Sequence, residues 1–345
     1  MKAVVFEKHG GIEVLEYKEI PEPKISPNEV LIRVRATACN YNDLWARNGM
    51  PALEIIFPHI SGSDAAGEVV EVGSEVKTVR VGDEVVVHCG LSCRVCAACT
   101  SGQEYFCRYF RIWGFQTGPL DGGQAEYCKV PAVNVLPKPR HLTWEEAASL
   151  PLVLVTAWRK LVTRAKVQPG DTILIWGAAG GLGVMAVQIA KLFRATVIAV
   201  VGNDDKMEAV KNLGADHVLN RRRQNVVEEV KKITNRRGVD IVFEHLGGTF
   251  WPQSILCTKW GGTIVTSGAT TSYEGITDLR HIFFRQLNIM GSTLGSKGEL
   301  AQAMQHVEAG HIKPVVSQVF PLKEVGVAQS LMEEAKAIGK LVLVP

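Results

Sequence analysis

The fold is decided by one stretch, Thr172-Ile173-Leu174-Ile175-Trp176-Gly177-Ala178-Ala179-Gly180-Gly181-Leu182-Gly183. Its first five residues form a mostly apolar run of the kind found in buried parallel strands. A turn of glycines and alanines follows, and helical spacing then continues from residue 184 to residue 193. Because such a turn joins free backbone N–H groups to the positive end of a helix, we expect phosphates to bind here.

Strands and helices alternate beyond the turn. We predict strands at 196–201, 217–219, 239–243 and 262–267, and helices near 206–213 and 226–234. This alternation is typical of a doubly wound parallel sheet in an α/β protein. In that setting the turn from Gly177 to Gly183 matches a dinucleotide-binding fingerprint, although its usual first glycine is replaced by Ala178.

The chain before residue 151 has a different character. Short strands at 29–34, 67–73 and 82–87 are separated by Gly, Pro and Asp, which indicates a mostly β domain. From about residue 297 a helix leads to strands at 315–321 and 340–344, and we expect this tail to return to the first domain. We therefore predict one domain at 1–151 and 292–345, and a dinucleotide-binding domain at 152–291.

Composition narrows the possible functions. The 345 residues suffice for two domains with their own cores. The net charge of +3 and the short basic run Arg221-Arg222-Arg223, which we read as a solvated turn, do not favour nucleic acid. No segment is apolar enough to span a bilayer, and the apolar start is too short for a signal peptide. We expect a cytoplasmic protein without membrane contact.

Four of the eight cysteines form a tight cluster, Cys93-x2-Cys96-x2-Cys99-x7-Cys107. Four thiolates so close in sequence can complete a tetrahedral zinc site with no open position, which makes the metal structural. We predict one structural Zn²⁺ per chain, in a lobe at 89–110.

The end of the second Rossmann-type strand bears on the choice between NAD and NADP. It reads Val201-Gly202-Asn203-Asp204-Asp205-Lys206, with no carboxylate on the strand end to hold a ribose 2′-hydroxyl. Lys206 and Arg221 are suited to a 2′-phosphate, and Asn203 lies between them and the strand. The two aspartates favour NAD if they turn inward, but such residues commonly start a helix. We predict a preference for NADPH, with NADH as the open alternative.

With these motifs in place, the whole chain resembles the medium-chain dehydrogenase/reductase superfamily. The cysteine lobe is similar to that of zinc alcohol dehydrogenases, and the glycine turn is similar to that of quinone oxidoreductases. The stretches 141–148 and 242–245 also resemble the reductase part of crotonyl-CoA carboxylase/reductases. The resemblance implies a GroES-like catalytic domain, a Rossmann domain, a cleft between them, and hydride transfer.

The same resemblance exposes a departure. Zinc alcohol dehydrogenases hold a catalytic zinc with three ligands, and those positions fall here on Asn40, Ser63 and Leu152. Leucine cannot bind a metal, so we predict a structural zinc without a catalytic one. An improvised metal site of Cys39, His59 and Asp64 stays open as an alternative.

Without a Lewis acid, hydrogen-bond donors must stabilise the charge that hydride transfer creates on the acceptor. The resemblance places Asn40, Tyr41 and Asn42 in that role, held by Asp43. It also places His245 at the end of the fourth Rossmann strand, as a candidate for catalysis or cofactor binding. Further residues expected to line the cofactor are Thr156, Ser267, Gly268, Ala269 and Lys340.

Three functions follow as hypotheses. The leading one is an NADPH-dependent reductase of a ketone, a quinone or an activated C=C bond. The others are a zinc alcohol dehydrogenase with unorthodox ligands and a non-catalytic NADPH-binding protein. We also expect a homodimer or homotetramer, paired through an edge strand at 287–291.

Overall fold

The computed structural model describes residues 1–51 and 53–345. Its strands are β1 (Lys2–Val5), β2 (Glu16–Glu19), β3 (Glu29–Ala38), β4 (Ala66–Val72), β5 (Glu84–Val87), β6 (Gly90–Leu91), β7 (Arg111–Ile112), β8 (Tyr127–Pro131), β9 (Val135–Pro137), β10 (Thr172–Ile175), β11 (Thr196–Val201), β12 (His217–Asn220), β13 (Val239–Glu244), β14 (Thr258–Thr266), β15 (Asn288–Gly291), β16 (Val316–Pro321) and β17 (Lys340–Val344).

Helices connect these strands. The α-helices are α1 (Tyr41–Asn48), α2 (Ala97–Thr100), α3 (Trp144–Ala148), α4 (Pro151–Trp158), α5 (Gly181–Leu192), α6 (Met207–Asn212), α7 (Val226–Ile233), α8 (Phe250–Cys257), α9 (Leu279–Arg285), α10 (Lys297–Glu308) and α11 (Val325–Glu333). A π-helix, Arg159–Arg164, continues α4. None of the helices in the described residues has the length and apolar character needed to cross a membrane.

The chain forms two compact units. Unit 1 comprises Met1–Leu152, Ser296–Ala309 and Lys313–Pro345, and unit 2 comprises Val153–Gly295 and Gly310–Ile312. The C-terminal return to unit 1 thus begins at Ser296, four residues after the predicted position. Each unit has its own main sheet.

Unit 2 contains a six-stranded parallel sheet in the order β12-β11-β10-β13-β14-β15. This is the doubly wound Rossmann order, in which the strand sequence reverses between β10 and β13 and ligands bind at the carboxyl ends of the strands. Apolar side chains of β10, β11, β13 and β14 pack against α7 and α8 in a single core. The predicted fold class is confirmed for this unit.

Unit 1 is built on a seven-stranded sheet in the order β16-β17-β3-β4-β5-β9, with β8 also paired to β3. All pairs are antiparallel except β16 with β17. The last strand, β17, pairs with β3 through Val342 opposite Ala38. This pairing brings Lys340 at the start of β17 close to the residues that follow β3.

The sequence pattern missed several helices, of which α1 matters most for function. Unit 1 was predicted to be mostly β, yet α1 occupies Tyr41–Asn48 directly after β3. Eight residues cover only about two turns, so the segment is too short to show helical periodicity clearly. One strand also differs, because β14 starts at Thr258 and not at the predicted residue 262.

Candidate active site

Three buried polar residues meet in unit 1 and form what we call the Lys340 network: Lys340, Asn40 and Asp64. The Lys340 ammonium donates to Asn40 Oδ1 at 2.5 Å and lies 3.3 Å from Asp64 Oδ2. It also donates to the carbonyl oxygen of Cys39 at 2.6 Å. All three side chains of the network are at least 95% buried. The network therefore pairs a carboxylate and an ammonium away from solvent, with their hydrogen-bonding groups satisfied.

The amide of Asn40 is fully engaged in this network. Its Nδ2 donates to Asp64 Oδ2 at 2.8 Å and to the carbonyl oxygen of Ala38 at 3.2 Å. Since an amide has only two N–H donors, both are used inside unit 1. This arrangement leaves the predicted donor role to Tyr41 or Asn42.

Asp43 binds the residues around the same network through its carboxylate. Its Oδ2 accepts hydrogen bonds from the Asn40 backbone N–H at 2.9 Å and from Gln124 Nε2 at 3.1 Å, and its Oδ1 accepts from the Gly62 N–H at 3.2 Å. Burial raises the pKa of Asp43 to about 7, although the two backbone N–H groups and the Lys340 charge oppose this rise. Asp43 thus ties three chain segments together.

Tyr41 and Asn42 lie in the first turn of α1 and are partly exposed. The Tyr41 ring packs edge-on against Trp45, with 5.4 Å between the ring centroids. Elsewhere in unit 1, the structure shows two polar groups that the sequence had not indicated as donors. Ser63 Oγ and Trp113 Nε1 are both buried and have no hydrogen-bond partner among the described residues.

The four cysteines form a compact cluster, as their spacing predicts. Neighbouring Sγ atoms lie 3.5 Å (Cys93 to Cys107), 3.6 Å (Cys96 to Cys99) and 3.9 Å (Cys93 to Cys99) apart, and all four lie within 4.8 Å of one another. A zinc ion with Zn–S bonds of about 2.3 Å needs tetrahedral edges of about 3.8 Å. The cluster therefore fits a closed four-thiolate zinc site.

Backbone N–H groups favour thiolates in this cluster. Those of Val95 and Cys96 lower the pKa of Cys93 to about 6, whereas hydrogen bonds with the neighbouring thiols raise that of Cys96 to about 11. The N–H groups of Cys93 and Tyr109 point at Cys107 Sγ from 3.5 and 3.4 Å. Thiolates are the form that binds zinc, so the surroundings of the cluster suit the metal.

The alternative metal site of Cys39, His59 and Asp64 is not assembled. Within residues 1–51 and 53–345, the four cysteines are the one group of three or more ligand-type residues whose donor atoms converge. Burial raises the pKa of the Cys39 thiol and lowers that of His59 to about 4, while Asp64 is engaged by the Lys340 network.

In unit 2 the glycine turn connects β10 to α5, with Gly180 as the residue before the helix. Gly177 adopts a positive φ of 57°, which glycine allows. A side chain on Gly183 would come within 2.3 Å of the Gly177 carbonyl oxygen. Close packing of helix on strand thus requires glycine here, and the first N–H groups of α5 have no acceptor within the helix. This cradle fits a pyrophosphate.

His245 follows β13 and lies against the same turn. A Cβ atom added to Gly177 would lie 3.0 Å from His245 Nε2, so the imidazole faces this glycine. His245 Nδ1 and Ser267 Oγ are buried polar atoms without a hydrogen-bond partner in the described parts of the chain. Both residues were predicted to line the cofactor, and unpartnered buried groups call for a ligand or water. Thr156 and Ala269 also belong to this unit.

Basic side chains gather at the end of β11. Lys206 is buried, and desolvation lowers its pKa, as do the nearby charges of Arg221 and Arg222. Asn203 Oδ1 accepts a hydrogen bond from Arg222 at 2.6 Å. Asp204 begins a short 3₁₀ helix and pairs with Arg223 at 2.6 Å. Lys206, Arg221 and Arg222 thus lie close together near the strand end, with Asp205 beside Lys206, while Asp204 pairs with Arg223.

Two family models match the chain. Residues 26–140 match the alcohol dehydrogenase GroES-like domain, and residues 181–309 match the zinc-binding dehydrogenase model. The chain is 34% identical to a crotonyl-CoA carboxylase/reductase of Cereibacter sphaeroides, over 96% of this chain and 83% of the relative. The chain belongs to the medium-chain dehydrogenase/reductase superfamily. An NAD-dependent alcohol dehydrogenase of Sulfurisphaera tokodaii is also 34% identical, over 96% of both chains.

Solved structures of this superfamily share the fold. A crystal structure of an NAD-dependent alcohol dehydrogenase superposes with a TM-score of 0.94 at 42% identity and covers both chains completely. A 2-octenoyl-CoA carboxylase reductase in complex with NADP and 2-octenoyl-CoA superposes with a TM-score of 0.91 at 33% identity, over 99% of this chain and 87% of the other. The chain is thus an oxidoreductase of this superfamily, and its relatives include alcohol dehydrogenases and carboxylase/reductases of enoyl-CoA thioesters.

Proposed function

We propose that this protein is an NADPH-preferring reductase that transfers hydride to a ketone, a quinone or an activated C=C bond, with a structural zinc and without a catalytic one. The observation that carries the proposal is the Lys340 network. Where zinc alcohol dehydrogenases of the family place metal ligands, this chain has an amide bonded to an ammonium, a neutral hydroxyl and a leucine. That donor set does not suit zinc, which prefers thiolate and imidazole.

In this proposal, residues of unit 1 stabilise the charge that the catalytic zinc stabilises in zinc alcohol dehydrogenases. A bound nicotinamide would supply the hydride, and its transfer would leave negative charge on the acceptor oxygen. Tyr41, in the first turn of α1, provides a hydroxyl donor near the positive end of a helix. Asn42 is its alternative. The Lys340 network and Asp43 keep this helix start in place, because they bind Asn40 from both sides.

Unit 2 supplies the cofactor site. The glycine turn is suited to pyrophosphate, while Ser267 and His245 offer polar atoms that have no partner among the residues that the structure describes. Lys206 and Arg221 are suited to the 2′-phosphate that distinguishes NADPH from NADH. The relatives use both cofactors, since two structural neighbours are in complex with NADP and other relatives are named NAD-dependent, so the proposed preference rests on Lys206 and Arg221.

The preference for NADPH is tested by binding and turnover with both cofactors. Lys206→Ala should raise the Kd for NADPH about tenfold or more and change the Kd for NADH by less than about twofold. The reason is that the substitution removes a contact with the 2′-phosphate, which NADH does not have. NADPH oxidation with quinone, enone and ketone acceptors gives turnover, and Tyr41→Phe should lower it by about 10²–10³-fold. Equal losses for both cofactors would refute the role of Lys206. Tight NADPH binding without turnover would instead favour a non-catalytic binding protein.

We extend the proposal to assembly. Among the strands that the structure describes, β15 pairs only with β14 and so forms an edge of the sheet in unit 2, and Ile289 on it is 42% exposed. Phe283 and Phe284 on α9 are also exposed. An apolar sheet edge favours pairing with a second copy. Light scattering at micromolar concentration should give a dimer or tetramer, and a monomer would contradict this.

A further inference from the structure

Lys160 in unit 2 is a fully buried lysine that the proposed function does not use. Its side chain is 0% exposed, although a lysine without compensation is costly to bury. The residue lies in the π-helix Arg159–Arg164, where the Ala165 N–H donates to the Lys160 carbonyl oxygen at 2.9 Å, five residues apart. Such single π-turns are rare and frequently occur at functional sites.

The Lys160 side chain fastens this π-helix to the end of β13. Its Nζ donates to the carbonyl oxygen of Glu244 at 2.5 Å. The same Nζ lies 3.5 Å from the centroid of the Phe243 ring, within the range of a cation–π contact. Both contacts are with the last two residues of β13, so this side chain ties the π-helix to the strand end, which is also held by its pairing with β10 and β14.

The residues after this strand end are anchored as well. The Glu244 carboxylate accepts hydrogen bonds from the N–H groups of Leu246 and Gly247, both at 2.7 Å, and from Thr266 Oγ1 at 2.8 Å. His245 is the residue between these anchors. Its position therefore follows from the placement of Glu244, which in turn depends on Lys160.

His245 is the point at which this arrangement reaches the cofactor site. Its imidazole packs on Gly177 of the glycine turn, and its Nδ1 has no partner in the described residues. Burial, together with the Lys160 charge, lowers the pKa of His245 to about 3. The imidazole is accordingly neutral at physiological pH and presents both a donor and an acceptor nitrogen.

We propose that Lys160 is a positioning residue of the cofactor site, which holds the end of β13 so that the His245 imidazole meets the dinucleotide at the glycine turn. The inference rests on the proposed function, since it requires a dinucleotide at that turn. It assigns no contact between Lys160 and the cofactor. A lysine that only fills the core would affect stability and leave cofactor affinity unchanged.

The test is a double-mutant cycle with NADPH as the probe. Lys160→Met keeps the apolar stem and removes the amine, and we expect it to raise the Kd for NADPH about tenfold while kcat at saturating NADPH changes less than about twofold. In a His245→Ala background the same substitution should change the Kd by less than about twofold. Lys191→Met is the matched control, because Lys191 also bonds a backbone carbonyl in unit 2, that of Ala195, and should leave the Kd unchanged.

The outcomes separate the two proposals. An unchanged Kd in Lys160→Met overturns the inference, and so does a tenfold effect that persists without His245. A wild-type protein that binds neither NADPH nor NADH refutes the proposed function itself, and the inference with it. Thermal unfolding verifies that each variant is folded, and Lys160→Gln, which keeps an N–H donor, replaces Lys160→Met if the latter does not fold. In that case, a tenfold rise in the Kd of Lys160→Gln that disappears in the His245→Ala background supports the inference, and an unchanged Kd or a rise that persists without His245 overturns it.

Discussion

The four-cysteine cluster and the Lys340 network lie in the same unit, and both gather ionisable groups into a small volume. The cluster brings together four thiols, whose ionised forms all carry the same negative charge. The network combines the Asp64 carboxylate with the Lys340 ammonium, both buried. Like charges so close require a cation from outside, whereas the network contains its own. Charge balance thus favours a metal cation at the cysteines, and it supports our proposal that protein donors take the family's other zinc position.

The two regions also differ in how their residues are spread along the chain. The cluster draws on fifteen consecutive residues, from Cys93 to Cys107. The network joins Asn40 to Lys340, 300 residues apart. The first can therefore form with local folding, while the second requires the complete unit 1 sheet, in which β17 pairs with β3.

The largest effect is expected where the cluster is broken. Cys96→Ser removes one thiolate, so bound zinc should fall from about one per chain to nearly none, and the lobe should lose several kcal/mol of stability. Metal content by plasma mass spectrometry and thermal unfolding measure both. Cys128→Ser is the control, since Cys128 is a buried thiol of β8 outside the cluster and should keep the zinc. Unchanged zinc in Cys96→Ser would show that these cysteines do not hold it.

A smaller effect is expected where the network loses its cation. Lys340→Met leaves the Asp64 carboxylate buried without its ammonium, and we expect the free energy of unfolding to fall by about 3–5 kcal/mol. Lys138→Met serves for comparison. Lys138 is also buried, but its partner Glu84 is 52% exposed, so the loss should be no more than about 1 kcal/mol. Urea unfolding compares the two variants, and equal losses would mean that Lys340 does not balance a buried charge.

These differences explain what could be predicted from the sequence. The cluster and the glycine turn were predictable because their residues are neighbours in sequence and their spacing reflects local geometry. The parallel sheet followed from alternating apolar strands and helices. The Lys340 network was not predictable in this way, since its contacts depend on strand pairing across almost the whole chain. Lys340 had been assigned to the cofactor, and Asn40 to the substrate, without any sign that they bind each other.

The central claim is that reduction proceeds with one structural zinc and with protein donors at the other site. Its most direct test measures zinc and turnover in the same preparation, before and after a chelator too weak to remove zinc from four thiolates. Turnover is the rate of NADPH oxidation with a quinone or cyclic enone. We predict one zinc per chain at both stages and unchanged turnover. Two zincs per chain, with the second lost together with activity, would contradict the account.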